Sequence, residues 1–476
     1  MAVAEERFRR TLDRDNSPER HSAPGPSILL VAANRWSLPA RLASGFLKLG
    51  CRVAAVCPVP GHAIEKVSGV TPVYRYAGRR PLESLQAAIE EFAPDIIVPM
   101  CDRSVQHLHE LHARCCSDTE LDRQTRMLIE KSLGPPESYS VVSSRYDLLM
   151  LAKDLGIRVP DTVRIDSAED LKKHENRLPW MLKADGSSCG HGVKKVETLT
   201  GAKKALGELA SRISAFQLAM HLLLDRDRDF TISRRSDPRP GIIAQAIVPG
   251  RPANCTVVSW KGAILAGIAV EVIEADGPME PAIVVQIVEG REMLDAAKLI
   301  AHRLQLTGFF GLDFMLEEST GKPYLIEMNP RCAPPCSLNL GEGRDLLAAF
   351  WAELTAQEKP QRPAITQNTK IAYFPTAVLR GANSTYMSQQ NSIYLDIPIG
   401  ETELIEELLH PWSERSLAGR LLDQLRQNIP LKPQLRRIRS RLRNRRDSDN
   451  LERQNTGQKR TRFGQFVRRT IGARNS

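Results

Sequence analysis

Four polar residues around position 320 have the types and spacing needed to bind a cation. Asp313 lies in the apolar run Phe309–Leu316. Glu327 lies in a second apolar run, Tyr324–Met328, and Asn329 and Arg331 follow it at intervals of two residues. If the two runs form a β-hairpin that turns at Thr320, Asp313 faces Glu327, because both are equally far from the turn. Residues two apart on a strand share a face, so the four polar side chains are predicted to line one side of the hairpin.

The chemistry of this face favours a hard cation. Two carboxylates that face each other repel unless a positive charge lies between them. Carboxylate and amide oxygens, without a thiolate or an imidazole, suit Mg2+, which is often shared with substrate phosphates. The plainer alternative is a solvated hairpin face with acidic residues. The apolar residues predicted to point the other way, into a core, are Leu312, Phe314, Leu316, Tyr324, Ile326 and Met328.

A second stretch, WMLKADGSSCGHGV from Trp180 to Val193, has the features of a phosphate site. An apolar strand carries Lys183, and a loop rich in Gly and Ser follows it. Glycine has no Cβ, so backbone N–H groups of such a loop can approach phosphate oxygens. Lys183 adds a compact positive charge. The loop residues predicted to cover a phosphate are Gly186, Ser187, Ser188, Gly190 and Gly192.

Together, the LIEMNPR strand and the earlier Lys–Gly/Ser loop resemble the ATP-grasp superfamily. The resemblance implies that Asp313, Glu327 and Asn329 hold one or two Mg2+ ions on the phosphates of ATP, with Mn2+ as an alternative. It also implies that Arg331 holds a substrate carboxylate or its phosphorylated form. Lys183 would contact the phosphates, so Arg331 and Lys183 are the two predicted catalytic residues.

The same resemblance suggests where the rest of the nucleotide lies. Arg145 occupies the place of a basic residue that often reaches ATP in the family. The segment GIIAQAIVPG is similar to the hinge, where the backbone of Ala246 and Ile247 would meet the adenine edge. An acidic residue that binds the ribose often follows the hinge, but none is nearby here. Asn254 is the one stand-in that the sequence offers.

Strands and helices alternate in the first part of the chain, which favours a parallel α/β sheet. No Gly-x-Gly-x-x-Gly follows the first strand, so dinucleotide binding is not predicted. Asp102 and Arg103 are expected in a loop after the fourth strand, either at the mouth of a substrate pocket or simply solvated. The predicted strands and helices are Ser27–Asn34, Leu38–Leu49, Arg52–Pro58, Val70–Tyr76, Pro81–Phe92 and Asp95–Met100.

The predicted fold class is α/β, with the α+β ATP-grasp fold that the resemblance implies. A Rossmann-like parallel sheet comes first, followed by a two-lobed ATP-grasp domain and a basic C-terminal tail. The predicted segments are a disordered leader (1–26), the Rossmann-like domain (27–140), the ATP-grasp domain (141–356), a small C-terminal subdomain (365–430) and the tail (431–476).

The net charge of +10 comes from the tail. Residues 432–476 contain 15 Lys and Arg against three acids, so the rest of the chain is close to neutral. Leu435, Ile438 and Leu442 fall on one helical face among arginines. Such a segment could contact RNA, an anionic membrane surface or an acidic protein. A solvated tail is the equally simple alternative.

Cysteine usage and hydropathy favour a cytoplasmic protein. The nine cysteines are odd in number and form no ligand array, which favours reduced thiols. Cys332 and Cys336 could belong to a zinc site only with two further ligands, which the sequence does not indicate. No apolar run approaches the roughly 20 residues of a membrane helix, and the first 26 residues lack the apolar core of a signal peptide.

The leading functional hypothesis is an ATP-dependent ligase. As the resemblance implies, a small-molecule carboxylate would be activated as an acyl phosphate and then taken by an amine, or less often a thiol. The alternatives are a carboxylase-type enzyme that uses bicarbonate, and a non-catalytic nucleotide-binding protein anchored by its basic tail. The oligomeric state stays open, with a homo-oligomer as one alternative.

Overall fold

The computed structural model describes residues 25–117, 119–186, 192–210, 240–275, 277, 280–380 and 392–411. Several predicted segments therefore lie outside the described residues: nearly all of the leader, the loop residues Ser187, Ser188 and Gly190, and the basic tail. Among the described residues, every helix is too short or too polar to cross a membrane.

A four-stranded parallel sheet opens the fold, as the alternation of strands and helices predicts. Its strands are β1 (Ser27–Val31), β2 (Arg52–Cys57), β3 (Val70–Arg75) and β4 (Ile96–Pro99), in the spatial order β3-β2-β1-β4. Strand β1 pairs in parallel with both β2 and β4 and is buried along its whole length. The helices around it are α1 (Leu38–Leu47), α2 (Pro81–Phe92), α3 (Asp102–Arg114) and α4 (Glu120–Leu133).

Helix α3 corrects the prediction that Asp102 and Arg103 lie in a loop. Asp102 is the first residue of α3, which follows β4 after only two residues. The extended Cys101 precedes it, and the hydroxyl of Ser104 accepts a hydrogen bond from the Cys101 N–H at 3.1 Å. This closed first turn lets the helix begin directly at the carboxyl end of the strand.

A second four-stranded sheet carries the predicted phosphate-binding strand. Its strands are β5 (Thr162–Arg164), β6 (Trp180–Ala184), β7 (Val193–Val196) and β8 (Ile242–Ala246), in the order β5-β8-β6-β7. All its pairings are antiparallel. The helices beside this sheet, in chain order, are α5 (Tyr139–Ser143), α6 (Arg145–Asp154), α7 (Ala168–Lys173) and α8 (Leu199–Ala210).

A seven-stranded sheet contains the predicted metal hairpin. Its strands are β9 (Gly250–Trp260), β10 (Ala263–Ala275), β11 (Ala282–Val288), β12 (Gly308–Glu317), β13 (Pro323–Asn329), β14 (Lys370–Tyr373) and β15 (Ile393–Asp396). The spatial order is β13-β12-β9-β10-β11-β14-β15. The remaining helices are α9 (Arg291–Leu304), α10 (Leu346–Thr355), α11 (Thr376–Arg380) and α12 (Thr402–Leu409).

Strands β14 and β15 were expected in a small C-terminal subdomain. They extend the seven-stranded sheet instead, since β14 pairs antiparallel with β11 and parallel with β15. The division of the chain into domains stays a prediction, but this sheet is continuous from the metal hairpin to residue 396.

The hairpin register agrees with the predicted symmetry at its functional end and departs from it near the turn. Asp313 pairs with Glu327, as predicted, but a β-bulge follows and Phe314 pairs with Leu325. The extra residue in β13 changes which side chains face the core. Leu325 is fully buried, whereas Ile326, predicted to be in the core, is only partly buried. The symmetric register was therefore wrong beyond Asp313.

The parallel sheet and the seven-stranded sheet share one hydrophobic core. Phe46 of α1, Phe309 of β12 and Phe350 of α10 belong to the same buried cluster. The ring of Phe309 lies 6.3 Å from that of Phe46 and 5.1 Å from that of Phe350, both edge to face. Aromatic pairs prefer this geometry, so the apolar contact fixes the first sheet against the hairpin.

We expect Gly250→Ala to lower the free energy of unfolding by about 1–3 kcal/mol, because overpacking has costs of this size. A Cβ at Gly250 would lie 2.0 Å from the backbone oxygen of Leu316 in the paired strand β12. Urea unfolding measures the change. The matched control is Gly207→Ala in α8, where a Cβ meets nothing within 4 Å. This control should be stabilised by up to about 1 kcal/mol, and equal effects of both changes would contradict the pairing.

Candidate active site

Asp313 and Glu327 face each other on β12 and β13, with amide side chains around them. The carboxylate of Asp313 accepts a hydrogen bond from Asn329 Nδ2 at 2.8 Å and another from Asn254 Nδ2 at 2.5 Å. Burial raises the pKa of Asp313, and the negative charge of Glu327 raises it further. The two amide donors and Arg331 oppose that shift. The site therefore concentrates negative charge that is only partly compensated.

Arg145 lies at the start of α6 and reaches the same carboxylate pair. Its Nη2 donates to Glu327 Oε1 at 2.5 Å, and its Nη1 donates to the carbonyl of Ala184. The backbone N–H of Arg145 donates to Asp185 Oδ1 at 3.0 Å. Arg145, predicted to contact the nucleotide, thus links the end of β6 to the hairpin.

Lys183 lies between the two sheets. Its side chain points from β6 toward β13, and its Nζ is 3.5 Å from the carbonyl oxygen of Ile326. Burial lowers its pKa to about 8, although the nearby Glu327 and Asp313 favour the charged form. Lys183 is only 5% exposed, so its ammonium has lost most of its water and needs an anionic partner. The predicted lysine and both predicted carboxylates therefore share one site.

Arg331 is held by three acceptors. Its Nε donates to Asp102 Oδ2 at 3.2 Å, its Nη2 to Asn329 Oδ1 at 3.0 Å and its Nη1 to the carbonyl of Cys332 at 3.1 Å. The guanidinium also lies over the ring of Trp36, 5.6 Å from its centroid. Burial opposes the charge on Arg331, but the charge and the hydrogen bond of Asp102, together with the charge of Asp313, more than offset burial, so the pKa of the guanidinium is raised.

The predicted glycine loop is described only at its ends. Gly186 has a left-handed backbone with φ of +65°, which favours glycine. The carbonyl of Gly192 accepts a hydrogen bond from the N–H of Ala184 at 2.9 Å. These contacts bring the two ends of the loop together beside Lys183. The predicted contacts of Ser187, Ser188 and Gly190 lie outside the described residues.

The predicted hinge lies at the end of β8. The N–H of Ala246 donates to the carbonyl of Asp161 at 2.8 Å, so this donor is used within the fold. Ile247 follows the strand and is partly buried. Both adenine contacts, at Ala246 and Ile247, stay predictions.

Comparisons with known proteins identify the fold. A sequence model of the ATP-grasp domain family matches residues 142–335. That range includes strand β6, the predicted hinge and the whole predicted metal hairpin. This part of the chain is an ATP-grasp domain.

One solved structure supports the same fold, and a second is similar to the chain without adding to that support. The ADP complex of N5-carboxyaminoimidazole ribonucleotide synthetase is similar over 72% of this chain and 80% of its own, with 14% identity and a TM-score of 0.51. L-amino acid ligase from Bacillus licheniformis is similar over 72% and 79%, with 13% identity and a TM-score of 0.49. No curated protein sequence matches the chain. At these identities the likeness concerns the fold.

Asn254 is the site residue whose place the sequence prediction missed. It was offered as a stand-in for a ribose ligand, but β9 pairs with β12 so that Asn254 lies opposite Asp313. Its Oδ1 accepts a hydrogen bond from the hydroxyl of the buried Thr256 at 2.5 Å, which turns its Nδ2 toward Asp313. Two polar residues, Asn254 and Thr256, spaced two apart within the otherwise apolar stretch 253–258, were the available signal.

Among the described residues, no cysteine or histidine bonds to the carboxylates of Asp313 or Glu327. Cys332 and Cys336 are both fully buried, and the N–H of Ala333 donates to Cys336 Sγ at 3.4 Å. Within the described ranges, His, Cys, Asp and Glu form no group of three that could hold a metal. The hairpin instead brings together two carboxylates and the amide of Asn329, whose Oδ1 accepts a hydrogen bond from Arg331. Carboxylate and amide oxygens are the ligands that a hard cation prefers.

We expect a double-mutant cycle of Arg145→Met and Glu327→Gln to show a coupling of at least about 1.5 kcal/mol in the free energy of unfolding. Both side chains are largely buried, so removing one partner leaves an uncompensated charge. The control cycle uses Arg164→Met and Asp147→Asn, a pair with about half of each side chain exposed. Its coupling should stay below about 0.5 kcal/mol, and similar couplings in the two cycles would argue against the buried pair.

Proposed function

We propose that the protein is an ATP-dependent ligase that phosphorylates a substrate carboxylate and passes the acyl group to an amine or a thiol. The observation that carries this proposal is the convergence of Lys183, Arg145 and Arg331 on the carboxylates of Asp313 and Glu327. Phosphoryl transfer depends on positioning and charge neutralisation more than on covalent help from the protein. These residues can supply both.

The donor set fits Mg2+. Asp313, Glu327 and Asn329 present oxygen ligands, and the raised pKa of Asp313 reflects burial together with the facing charge of Glu327. A divalent cation bound there would relieve this repulsion and neutralise charge on the phosphates. Asn254 would keep Asp313 oriented through the hydrogen bond from its Nδ2.

The positive residues have separate tasks in this proposal. Lys183 meets phosphate oxygens at the base of the glycine loop, where its low exposure strengthens the attraction. The guanidinium of Arg145 either moves from Glu327 to the nucleotide when the nucleotide binds, or contacts both at once. Three N–H groups of Arg331 donate to Asp102, Asn329 and Cys332. The other N–H groups of its guanidinium bind the substrate carboxylate.

The reaction then balances without a protein nucleophile. A carboxylate oxygen of the substrate attacks the γ-phosphorus, and ADP leaves with the electron pair of the broken P–O bond. The amine attacks the acyl carbon, inorganic phosphate leaves and the amine gives up a proton. The buried thiols of Cys332 and Cys336 have no role in these steps.

Location and partners follow the same proposal. The eight described cysteines are free, in keeping with a reducing, cytoplasmic setting. The basic tail, which lies outside the described residues, stays a candidate contact for RNA, an anionic membrane or an acidic protein. A homo-oligomer stays an open alternative.

We expect Glu327→Gln to lower ADP formation at least about 100-fold, because it removes a charge from the proposed cation site. The assay measures ADP release over a panel of acids and amines with Mg2+. Glu318→Gln changes an exposed carboxylate in the turn of the same hairpin and should keep the full rate.

The same panel separates the alternatives. Full activity in Glu327→Gln would exclude the proposed role of this carboxylate. Turnover stimulated by bicarbonate alone would favour a carboxylase. Nucleotide binding without turnover across the panel would favour a binding protein.

We expect ADP with Mg2+ to raise the midpoint of thermal unfolding more than ADP with a chelator, because a ligand that binds only the folded state stabilises it. Asp313→Asn should remove most of that difference, since it takes one charge from the proposed ligand set. Glu318→Gln is again the control. A midpoint that responds to Mg2+ equally in Asp313→Asn and the unchanged protein would place the cation elsewhere.

A further inference from the structure

The order of the parallel sheet creates a crevice next to the site. The chain runs from β1 outward to β2 and β3, and then returns to β4 on the other side of β1. The connections that leave the carboxyl ends of β1 and β4 therefore diverge. In open α/β sheets, ligands bind at such a switch point. Here the segment after β1 carries Asn34 and Trp36, and the one after β4 begins α3 with Asp102.

Arg331 enters this crevice from the ATP-grasp domain. It contacts Asp102 through its Nε and lies over the ring of Trp36. The side chains of Arg331 and Asp102 keep 15% and 25% of their surface exposed. The neighbouring Arg103 is turned to Gln106 of its own helix, at 3.0 Å. Arg331 and Asp102 thus lie side by side as a cation and an anion.

The segment after β1 also contributes buried polar atoms. Asn34 Oδ1 and Trp36 Nε1 make no hydrogen bond to the described part of the chain. Native proteins rarely leave buried polar atoms without a partner, and such atoms often accompany a ligand or an ordered water. Of these two atoms, Trp36 Nε1 belongs to the ring that lies against the guanidinium of Arg331.

The charge pair restricts which carboxylates can bind. A carboxylate that docks on Arg331 comes close to the carboxylate of Asp102, and two like charges in a partly buried site repel. An ammonium group next to the incoming carboxylate changes that repulsion into attraction. Since Asp102 and Arg331 are in direct contact, the two groups must be close neighbours within one small molecule.

We propose that the acid substrate is an amino acid, whose carboxylate binds Arg331 and whose ammonium binds Asp102. This proposal rests on the proposed ligase function and adds the class of its substrate. Asp102 is then a specificity-determining residue, because it distinguishes an amino acid from the same acid without its amino group.

The test compares matched acids in ADP formation by the full chain. The pairs are L-alanine with propionate, L-glutamate with glutarate, and L-phenylalanine with 3-phenylpropionate. Hydroxylamine serves as the common acceptor in every assay, so that the amino group of the acid is the variable. We expect kcat/KM to be at least tenfold higher for the amino acid in the pair that is used.

Asp102→Asn provides the second arm. Its side-chain oxygen can still accept from Arg331 Nε, but its charge is gone. We expect this variant to lose at least tenfold in kcat/KM for the amino acid, mainly through KM, and to keep or improve the rate with the desamino acid. Glu90→Gln, which changes an exposed carboxylate on α2, should keep the preference unchanged.

The outcomes separate the two proposals. ADP formation with desamino acids at least as fast as with amino acids overturns the amino-acid inference and leaves the ligase function intact. An equal loss on both acids in Asp102→Asn means that Asp102 only positions Arg331, and a changed KM for hydroxylamine alone assigns Asp102 to the nucleophile. Either result overturns the inference. No ADP formation with any acid, despite Mg2+-dependent nucleotide binding, overturns the ligase function itself.

Discussion

The site depends on two carboxylates that the sheet forces to face each other. Asp313 and Glu327 are directly paired on adjacent strands, so the backbone register itself sets their repulsion. Neither can turn away without losing a contact, because Asp313 is held by Asn254 and Asn329 and Glu327 by Arg145. The result is a preorganised pair of carboxylates, whose mutual repulsion the proposed cation would relieve.

The positive side chains that surround this pair come from separate parts of the fold. Lys183 is supplied by the second sheet, Arg145 by the helix before it and Arg331 by the chain just after the hairpin. Asp102, from the parallel sheet domain, fixes the last of these. A hydrogen-bonded series therefore runs from Thr256 to Asp102 through the proposed metal ligands. The first domain thereby takes part in the geometry of the site, in addition to packing against it.

Local patterns were sufficient to predict the hairpin and the facing of Asp313 and Glu327. Equal spacing from a turn is a short-range property, and so is the alternation that aligned Asn329 and Arg331. The bulge after Asp313 was missed, because a symmetric turn contains no information about an extra residue in one strand. Asn254 was misplaced for a different reason. Its role depends on the pairing of β9 with β12, two strands separated by two others in sequence and a helix.

In the parallel sheet, too, local features were predicted and long-range contacts were not. Its strands and helices were predicted from alternation, but the helical start at Asp102 was not, since the cap uses Cys101 and Ser104 rather than a common capping residue. Contacts between Asp102 and Arg331 join residues more than 200 positions apart. No periodicity within either segment indicates such a pairing.

The seven-stranded sheet has a consequence for how the chain can be divided. Residues 142–335, the range that matches the family, supply strands β9 to β13, whereas β14 and β15 come from later in the sequence. An excised fragment of that range would leave the backbone N–H and C=O groups along β11 without their partner strand. An uncovered strand of this kind, rich in Val and Ile, readily pairs with other copies. The fold of residues 142–335 therefore depends on strands outside that range, and a fragment limited to it would expose β11 to association with other copies.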